Sequence, residues 1–214
     1  MFRDRVDAGR RLAEALLEYK DQPVVVFALP RGGVVLGVEV ARFLDAPLDL
    51  IVVRKIGHPN APEYAIGAVA EDGYVLTNPD ETEFIDPTWL NDAASAEWRE
   101  AQRRRRLFVG ARQRISAKDK IAILVDDGLA TGLTMEAAIH EVRKRQPRSL
   151  VVAVPVAASE TAATIKTHVD DLIVLQIPPL LQAIGAFYQD FAQVTDEEVI
   201  TLIKSFSHSS SMTA

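Results

Sequence analysis

The stretch Ile121-Ala122-Ile123-Leu124-Val125-Asp126-Asp127-Gly128-Leu129-Ala130-Thr131-Gly132-Leu133-Thr134-Met135 decides how this chain is read. Its first five residues are an apolar, β-branched run, the pattern of a strand buried on both faces. The run ends in two carboxylates. A loop with two Gly and two Thr follows, and then a helical pattern to about Arg145. Successive backbone N–H groups in such a loop can converge on an anion. The N-terminus of the helix adds a favourable dipole, and the Thr hydroxyls add donors. That describes a phosphate cradle, although the lysine of a G-x-x-x-x-G-K-[ST] loop is absent.

A phosphate alone would not explain two carboxylates, since like charges repel. They make sense if the ligand also presents hydroxyls, or a cation that offsets the charge. A ribose 5-phosphate supplies the hydroxyls, and Mg²⁺ the cation. The plainer alternative is a helix-capping Asp pair followed by an ordinary turn. Adjacent residues on an extended strand point to opposite faces, so the pair shares one task only if the chain turns at once.

Outward from this stretch, apolar runs alternate with helical patterns. Residues 6–19 space Val6, Leu12, Leu16 and Leu17 as an amphipathic helix. Residues 24–29 read as a buried strand that stops at Pro30-Arg31-Gly32-Gly33, with a helix to about Leu44. The patterning predicts a second buried strand over 48–53 and a β-hairpin from 65–70 and 74–77. A long polar helix is expected over 88–115, strands over 149–154 and 171–177, and a helix near 159–167. Thr195 to Glu198 reads T-x-x-E, a capping box opening a final helix. This order predicts an α/β fold: a doubly wound, mainly parallel sheet flanked by helices. Ligands in such folds bind beyond the carboxyl ends of the strands, here just after residues 29, 53, 125 and 177. Pro178-Pro179 separates the sheet from a C-terminal segment.

Composition narrows the function classes. The chain has 214 residues, which predicts one domain over 1–206 with a polar, Ser-rich flexible tail over 207–214. With 24 Lys and Arg against 30 Asp and Glu, the net charge of −6 argues against a polycation for nucleic acid or membrane. There is no Cys, so disulfides, a thiol nucleophile and a Cys-based zinc site are excluded. His58, His140, His168 and His208 lack metal-ligand spacing. The first 20 residues lack an apolar signal region, and no apolar stretch reaches the ~18 residues of a spanning helix. A cytoplasmic location is the expectation.

The segment D-D-G-L-A-T-G-L-T after a hydrophobic strand resembles the 5-phosphoribosyl-1-pyrophosphate (PRPP) signature of type I phosphoribosyltransferases. The resemblance extends over about residues 5–205, and R-G-G, V-R-K-I-G and A-I-G-A-V-A-E-D-G place the chain near an uncharacterised bacterial group within that family. It implies Mg²⁺-dependent transfer of the 5-phosphoribosyl group from PRPP to a nitrogenous base, with release of pyrophosphate. On this reading Asp126 and Asp127 take the ribose hydroxyls and meet the metal only through those hydroxyls or water. Gly128, Leu129, Ala130, Thr131, Gly132 and Thr134 take the 5′-phosphate. Pro30, Arg31, Gly32 and Gly33 resemble the pyrophosphate loop, and Arg31 with the amides at 32–33 would stabilise the leaving group. Arg54 and Lys55 stand where the family carries basic residues for pyrophosphate or for a dimer interface; two solvated charges ending a strand are the alternative.

Residues 56–64 match the position of the family's flexible loop, with His58, Glu63 and Tyr64 available to cover the site. A lid has value because transfer to water would waste PRPP. The acceptor hood would come from residues 176–194 and part of the N-terminus. Phe187 or Tyr188 could stack on a base there, core packing being the alternative for each. Ala130 stands where 6-oxopurine enzymes carry an Asp beside the purine N7, which argues against hypoxanthine-guanine activity of that kind. Leu133 replaces a frequent Gly and implies a tighter cradle. The family commonly forms homodimers.

Two other readings compete. One is a non-catalytic PRPP- or nucleotide-binding regulator on the same fold. The other is an RNA-binding protein, suggested by Arg103 to Arg106 within a stretch, 97–114, that holds seven Arg against two Glu. Four consecutive helical residues wrap most of the helix rather than forming one face, and Glu100 lies three and four residues before Arg103 and Arg104. A solvated helix or a basic subunit interface fits that run better than a nucleic-acid platform.

Overall fold

A computed structural model describes the backbone of residues 1–211 and side chains through Phe206. Five strands form the central sheet: β1 (Val24–Ala28), β2 (Leu48–Leu50), β6 (Ile121–Val125), β7 (Ser149–Val156) and β8 (Asp171–Gln176). Their order is β2-β1-β6-β7-β8 and every pairing is parallel. A second, antiparallel sheet holds β3 (Val53–His58), β4 (Ala61–Ala70) and β5 (Val75–Thr77). The helices are α1 (Arg5–Ala15), α2 (Gly32–Leu44), α3 (Pro79–Thr82), α4 (Pro87–Val109), α5 (Leu133–Lys144), α6 (Ser159–His168) and α7 (Asp196–Ser211).

The period-2 alternation of strand side chains builds a core on each face of the main sheet. Val24, Val26 and Ala28 of β1 and Ile121, Ile123 and Val125 of β6 join the core shared with α1, α2 and α7. Val25, Phe27, Ala122 and Leu124 point the other way, into the core shared with α5 and α6. Helices therefore cover both faces, the doubly wound arrangement expected from the run-and-helix order. Each fully buried Val, Leu or Phe contributes about 1.5–3 kcal/mol on leaving water.

Four boundaries differ from the sequence expectation. The run 48–53 is not one strand. The chain leaves the parallel sheet after Leu50, where Ile51 N–H still donates to the Ala28 carbonyl at 3.1 Å, and Val53 opens the second sheet. Residues 56–64 are not a loose connection but the outer half of the β3–β4 hairpin, turning at Pro59-Asn60. Bulges on either side of Gly57 bend it, and a Cβ at Gly57 would stand 2.1 Å from the Pro62 carbonyl oxygen, so only Gly fits there. The long helix ends at Val109 rather than 115, because Gly110 takes a φ of +61°. At the other end of the chain, α7 carries the backbone through Ser211, past the expected boundary at 206; residues 212–214 lie outside the described residues. The capping box is present: Thr195 Oγ1 accepts from Glu198 N–H at 3.1 Å, and Glu198 Oε2 accepts from Thr195 N–H at 2.7 Å.

The arginine run divides its labour. Arg103 and Arg104 both bind Glu100, at 2.7 and 2.9 Å, and hold its carboxyl down at about 2, Arg103 contributing most. Arg105 is not solvated. It is buried, donates to the Leu50 carbonyl at 2.6 Å and pairs with Asp49 at 2.7 Å. Asp49, Glu71 and Glu141 are all buried beside Arg105 and Arg145. This ionic cluster ties α4 and α5 to the edge of the main sheet and to the end of β4. Tyr74 also stacks on His140 of α5 with centroids 3.5 Å apart. The small sheet is thereby fixed against the helix that follows the 126–132 loop.

Candidate functional site

The carboxyl ends of β1 and β6 are neighbours in the sheet, so the turn 30–33 and the pair Asp126-Asp127 meet. The approach is close. A Cβ on Gly32 would lie 2.0 Å from Asp127 Oδ2, and one on Gly33 would lie 2.8 Å from the Val125 carbonyl oxygen. The two glycines let the backbone pack against the carboxylates. Asp126 Oδ1 accepts from Asp127 N–H at 2.8 Å. Asp127 Oδ2 accepts from Arg5 Nε at 2.9 Å. Burial pushes the Asp126 carboxyl well above the usual carboxylate range, and the neighbouring Asp127 charge adds to this. Burial also raises Asp127, against the opposing pull of Arg5.

The loop 128–132 leads into α5 through Gly132, whose φ of +85° is a left-handed conformation that favours glycine. Thr161 Oγ1 donates to the Ala130 carbonyl at 2.5 Å and braces the loop from α6. Ala130, Thr131 and Gly132 form no backbone hydrogen bond through their N–H groups among the described residues. These unspent donors border a hollow of about 150 Å³ that Thr134, Lys55 and Ile184 also line. Leu129 differs from the expectation. Its side chain is buried and its N–H is spent on the Val156 carbonyl at 2.9 Å, so it shapes the loop without offering a donor.

A larger cleft of about 670 Å³ adjoins the Asp pair. Pro30, Arg31, Gly32, Arg54, Lys55, His58 and Glu63 all line it, whereas Gly33 packs behind them against Asp126. Their states differ. Arg31 is turned toward Asp196 at the start of α7, 3.6 Å away. Arg54 is held by Glu97 of α4 at 2.8 Å. Lys55 is exposed, borders both cavities and has its charge felt at both Asp126 and Asp127. Tyr64 is not at the site. It stands on the outer rim with its hydroxyl on Glu81 at 2.6 Å.

Sequence reasoning missed the far wall of the cleft, formed by Trp89, Ala93, Ala96 and Glu97. Their spacing puts them on one face of α4, a signal that was present in the pattern. It also missed Arg5, which no motif distinguishes from the other N-terminal arginines. The C-terminal aromatics do not form a stacking platform. Tyr188 is buried against Phe2 and Phe191, with centroids at 5.3 and 4.8 Å, and its hydroxyl donates to the Asp127 carbonyl at 2.8 Å. Phe187 packs partly buried against the same core. The chain start pairs with this segment: Phe2 N–H donates to the Phe187 carbonyl, and Gln189 N–H to the Phe2 carbonyl, both at 2.8 Å.

No cluster of three or more His, Asp or Glu among the described residues is arranged to hold a metal by itself. Two carboxylates beside a cleft lined by Arg31 and Lys55 would fit Mg²⁺ that takes most of its oxygen ligands from a bound ligand and water. Among the described residues no helix is long and apolar enough to cross a membrane.

The chain belongs to the phosphoribosyl transferase domain family, whose model matches residues 3–184. It is 40% identical over 205 residues to two Mycobacterium tuberculosis proteins: Putative phosphoribosyl transferase Rv0571c of strain H37Rv and Putative phosphoribosyl transferase MT0597 of strain CDC 1551. Each match covers 95% of this chain and 46% of the relative, so the chain spans less than half the length of either. It is also similar to the crystal structure of TT1426 from Thermus thermophilus, with a TM-score of 0.80 and 41% identity over 96% of this chain and 98% of that one. The AQ2163 protein from Aquifex aeolicus shares the fold at a TM-score of 0.51 and 14% identity, over 81% of this chain and 74% of that one.

Proposed function

We propose that this chain transfers the 5-phosphoribosyl group of PRPP to a nitrogenous base and releases pyrophosphate. The observation that carries this reading is the convergence of Asp126-Asp127, the unspent amides of 130–132 and the turn residues Pro30, Arg31 and Gly32 with Lys55 around two adjoining cavities. The smaller cavity suits a 5′-phosphate at the start of α5. The larger, with Lys55 and Arg31 on its walls, suits the pyrophosphate. The carboxylates lie between them, where a ribose would bridge the two anions.

The bond that breaks joins C1 of the ribose to the pyrophosphate oxygen. The bond that forms joins C1 to a base nitrogen. Positive charge develops on the ring and negative charge on the leaving group. Asp126 and Asp127 accept hydrogen bonds from the ribose hydroxyls and hold the ring for in-line attack. Lys55, Arg31 and the amides at 32–33 stabilise the departing pyrophosphate. Mg²⁺ held beside Asp126 and Asp127 through ligand oxygens and water would offset the phosphate charge of the donor and of the released pyrophosphate. The β3–β4 hairpin, carrying His58 and Glu63, covers the cleft and limits access by water.

The test is pyrophosphate release from PRPP and Mg²⁺ across a panel of purine and pyrimidine bases. Base-dependent release supports the transferase. Saturable PRPP binding without release with any base identifies a regulatory binding protein instead.

A further inference from the structure

The carboxylate proposed to read the ribose is held from outside the sheet. Arg5, the first residue of α1, donates Nε to Asp127 Oδ2 at 2.9 Å and Nη1 to the Ala192 carbonyl at 2.7 Å. Its guanidinium lies on the Phe191 ring, 3.7 Å from the centroid, and only 11% of its side chain is exposed. Gly32 closes the remaining side, since any Cβ there would stand 2.9 Å from Arg5 Nε. Tyr188 holds the same residue by its backbone carbonyl. The N-terminal arm and the segment 187–192 thus grip Asp127 at two points, and they are paired with each other. Asp127 Oδ1 carries no hydrogen bond from another side chain among the described residues, although Asp127 lines both cavities.

We propose that Arg5 is a positioning residue for ribose recognition: it fixes Asp127 through Oδ2 so that Oδ1 is presented to a hydroxyl of the sugar. The assignment rests on the transferase reading given above. An arginine spent on packing alone would not need its Nε on a carboxylate that borders both cavities. Nor would that carboxylate need a rigid stacked guanidinium instead of a flexible lysine. Arg5 acts through Asp127 and does not touch the reacting atoms.

The experiment compares three probes by calorimetry: ribose 5-phosphate, 2-deoxyribose 5-phosphate, and inorganic pyrophosphate with Mg²⁺. The wild-type chain prefers ribose 5-phosphate to its deoxy analogue by about tenfold, the value of a hydrogen bond to a charged group. In Arg5→Gln that preference falls below about threefold. Pyrophosphate affinity, which depends on the 30–33 turn and Lys55, changes by less than about twofold. Arg5→Lys, which keeps the charge and serves if the Gln variant fails to fold, recovers part of the preference. An unchanged preference in the Gln variant, or in the Lys variant if the Gln variant fails to fold, overturns the assignment and leaves the transferase reading standing. Equal loss of all three ligands marks a purely structural arginine and also overturns it. Failure of the wild-type chain to bind any of the three overturns the transferase reading, and the role of Arg5 with it.

Discussion

Gly32 and Asp127 are in van der Waals contact although they are 95 residues apart in the chain: a Cβ built on Gly32 would stand 2.0 Å from Asp127 Oδ2. Gly32→Ala is therefore expected to displace the carboxylate or the turn. Overpacking of this kind costs about 1–3 kcal/mol. Binding of PRPP should fall by about tenfold or more, because the displaced group is one of the two carboxylates proposed to meet the sugar. Calorimetry with a melting curve on the same sample checks both.

Lys55 and Arg54 are adjacent but should not respond alike. Arg54 is engaged by Glu97 at 2.8 Å, whereas Lys55 has no ion pair among the described residues and borders both cavities. Lys55→Ala should weaken Mg²⁺-pyrophosphate binding by about tenfold, the loss of one charge-assisted hydrogen bond. Arg54→Ala should weaken it less than about threefold and lower the melting temperature by loosening α4. Equal effects on binding would remove the distinction.

The buried ionic cluster makes stability depend on pH. Burial, aided by the Glu71 charge, raises Glu141 from 4.5 to about 7. The folded chain then binds more protons than the unfolded chain between these values, so this group's contribution falls as pH rises from about 4.5 to about 7. Glu141→Gln should match the wild type in urea unfolding at pH 5. It should exceed it at pH 8 by on the order of 1–3 kcal/mol. A variant less stable at pH 8 would contradict this.

Two tyrosines that the sequence places near the site should respond differently. Tyr64 bonds Glu81 on the rim, so Tyr64→Phe should leave PRPP binding within about twofold of wild type. Tyr188 donates to the Asp127 carbonyl from a buried position, so Tyr188→Phe strands that carbonyl. It should cost about 1–2 kcal/mol of stability and weaken binding as well. Melting temperatures and titrations of the pair decide it.

The strands and their burial on both faces were legible because Val- and Ile-rich runs such as 121–125 and 149–154 have few other uses. The Asp126–Thr134 loop was legible because its donors and carboxylates are consecutive. What stayed hidden depends on contacts between distant segments. Arg5 reaches Asp127 only because α1 crosses near the end of β6, and nothing local marks it. Arg105 looks solvated within its run until β2 places Asp49 beside it. The hairpin at 56–64 was masked by Gly57 and two prolines, which mark a bulge and a tight turn as readily as a loop. Tyr188 read as a possible stacking ring because sequence does not show that its hydroxyl has a buried partner.

The proposed transfer depends on Asp126 and Asp127 reading the ribose of a phosphorylated donor. Calorimetric titration of PRPP with Mg²⁺ into the wild type and into Asp126→Asn/Asp127→Asn tests it most directly. Saturable one-site binding to the wild type is expected. In the double variant, shown folded by its melting curve, PRPP binding should weaken by about a hundredfold, two charge-assisted hydrogen bonds being lost. Mg²⁺-pyrophosphate binding should persist there. No saturable binding of PRPP by folded wild type, or equal binding by both proteins, would contradict it.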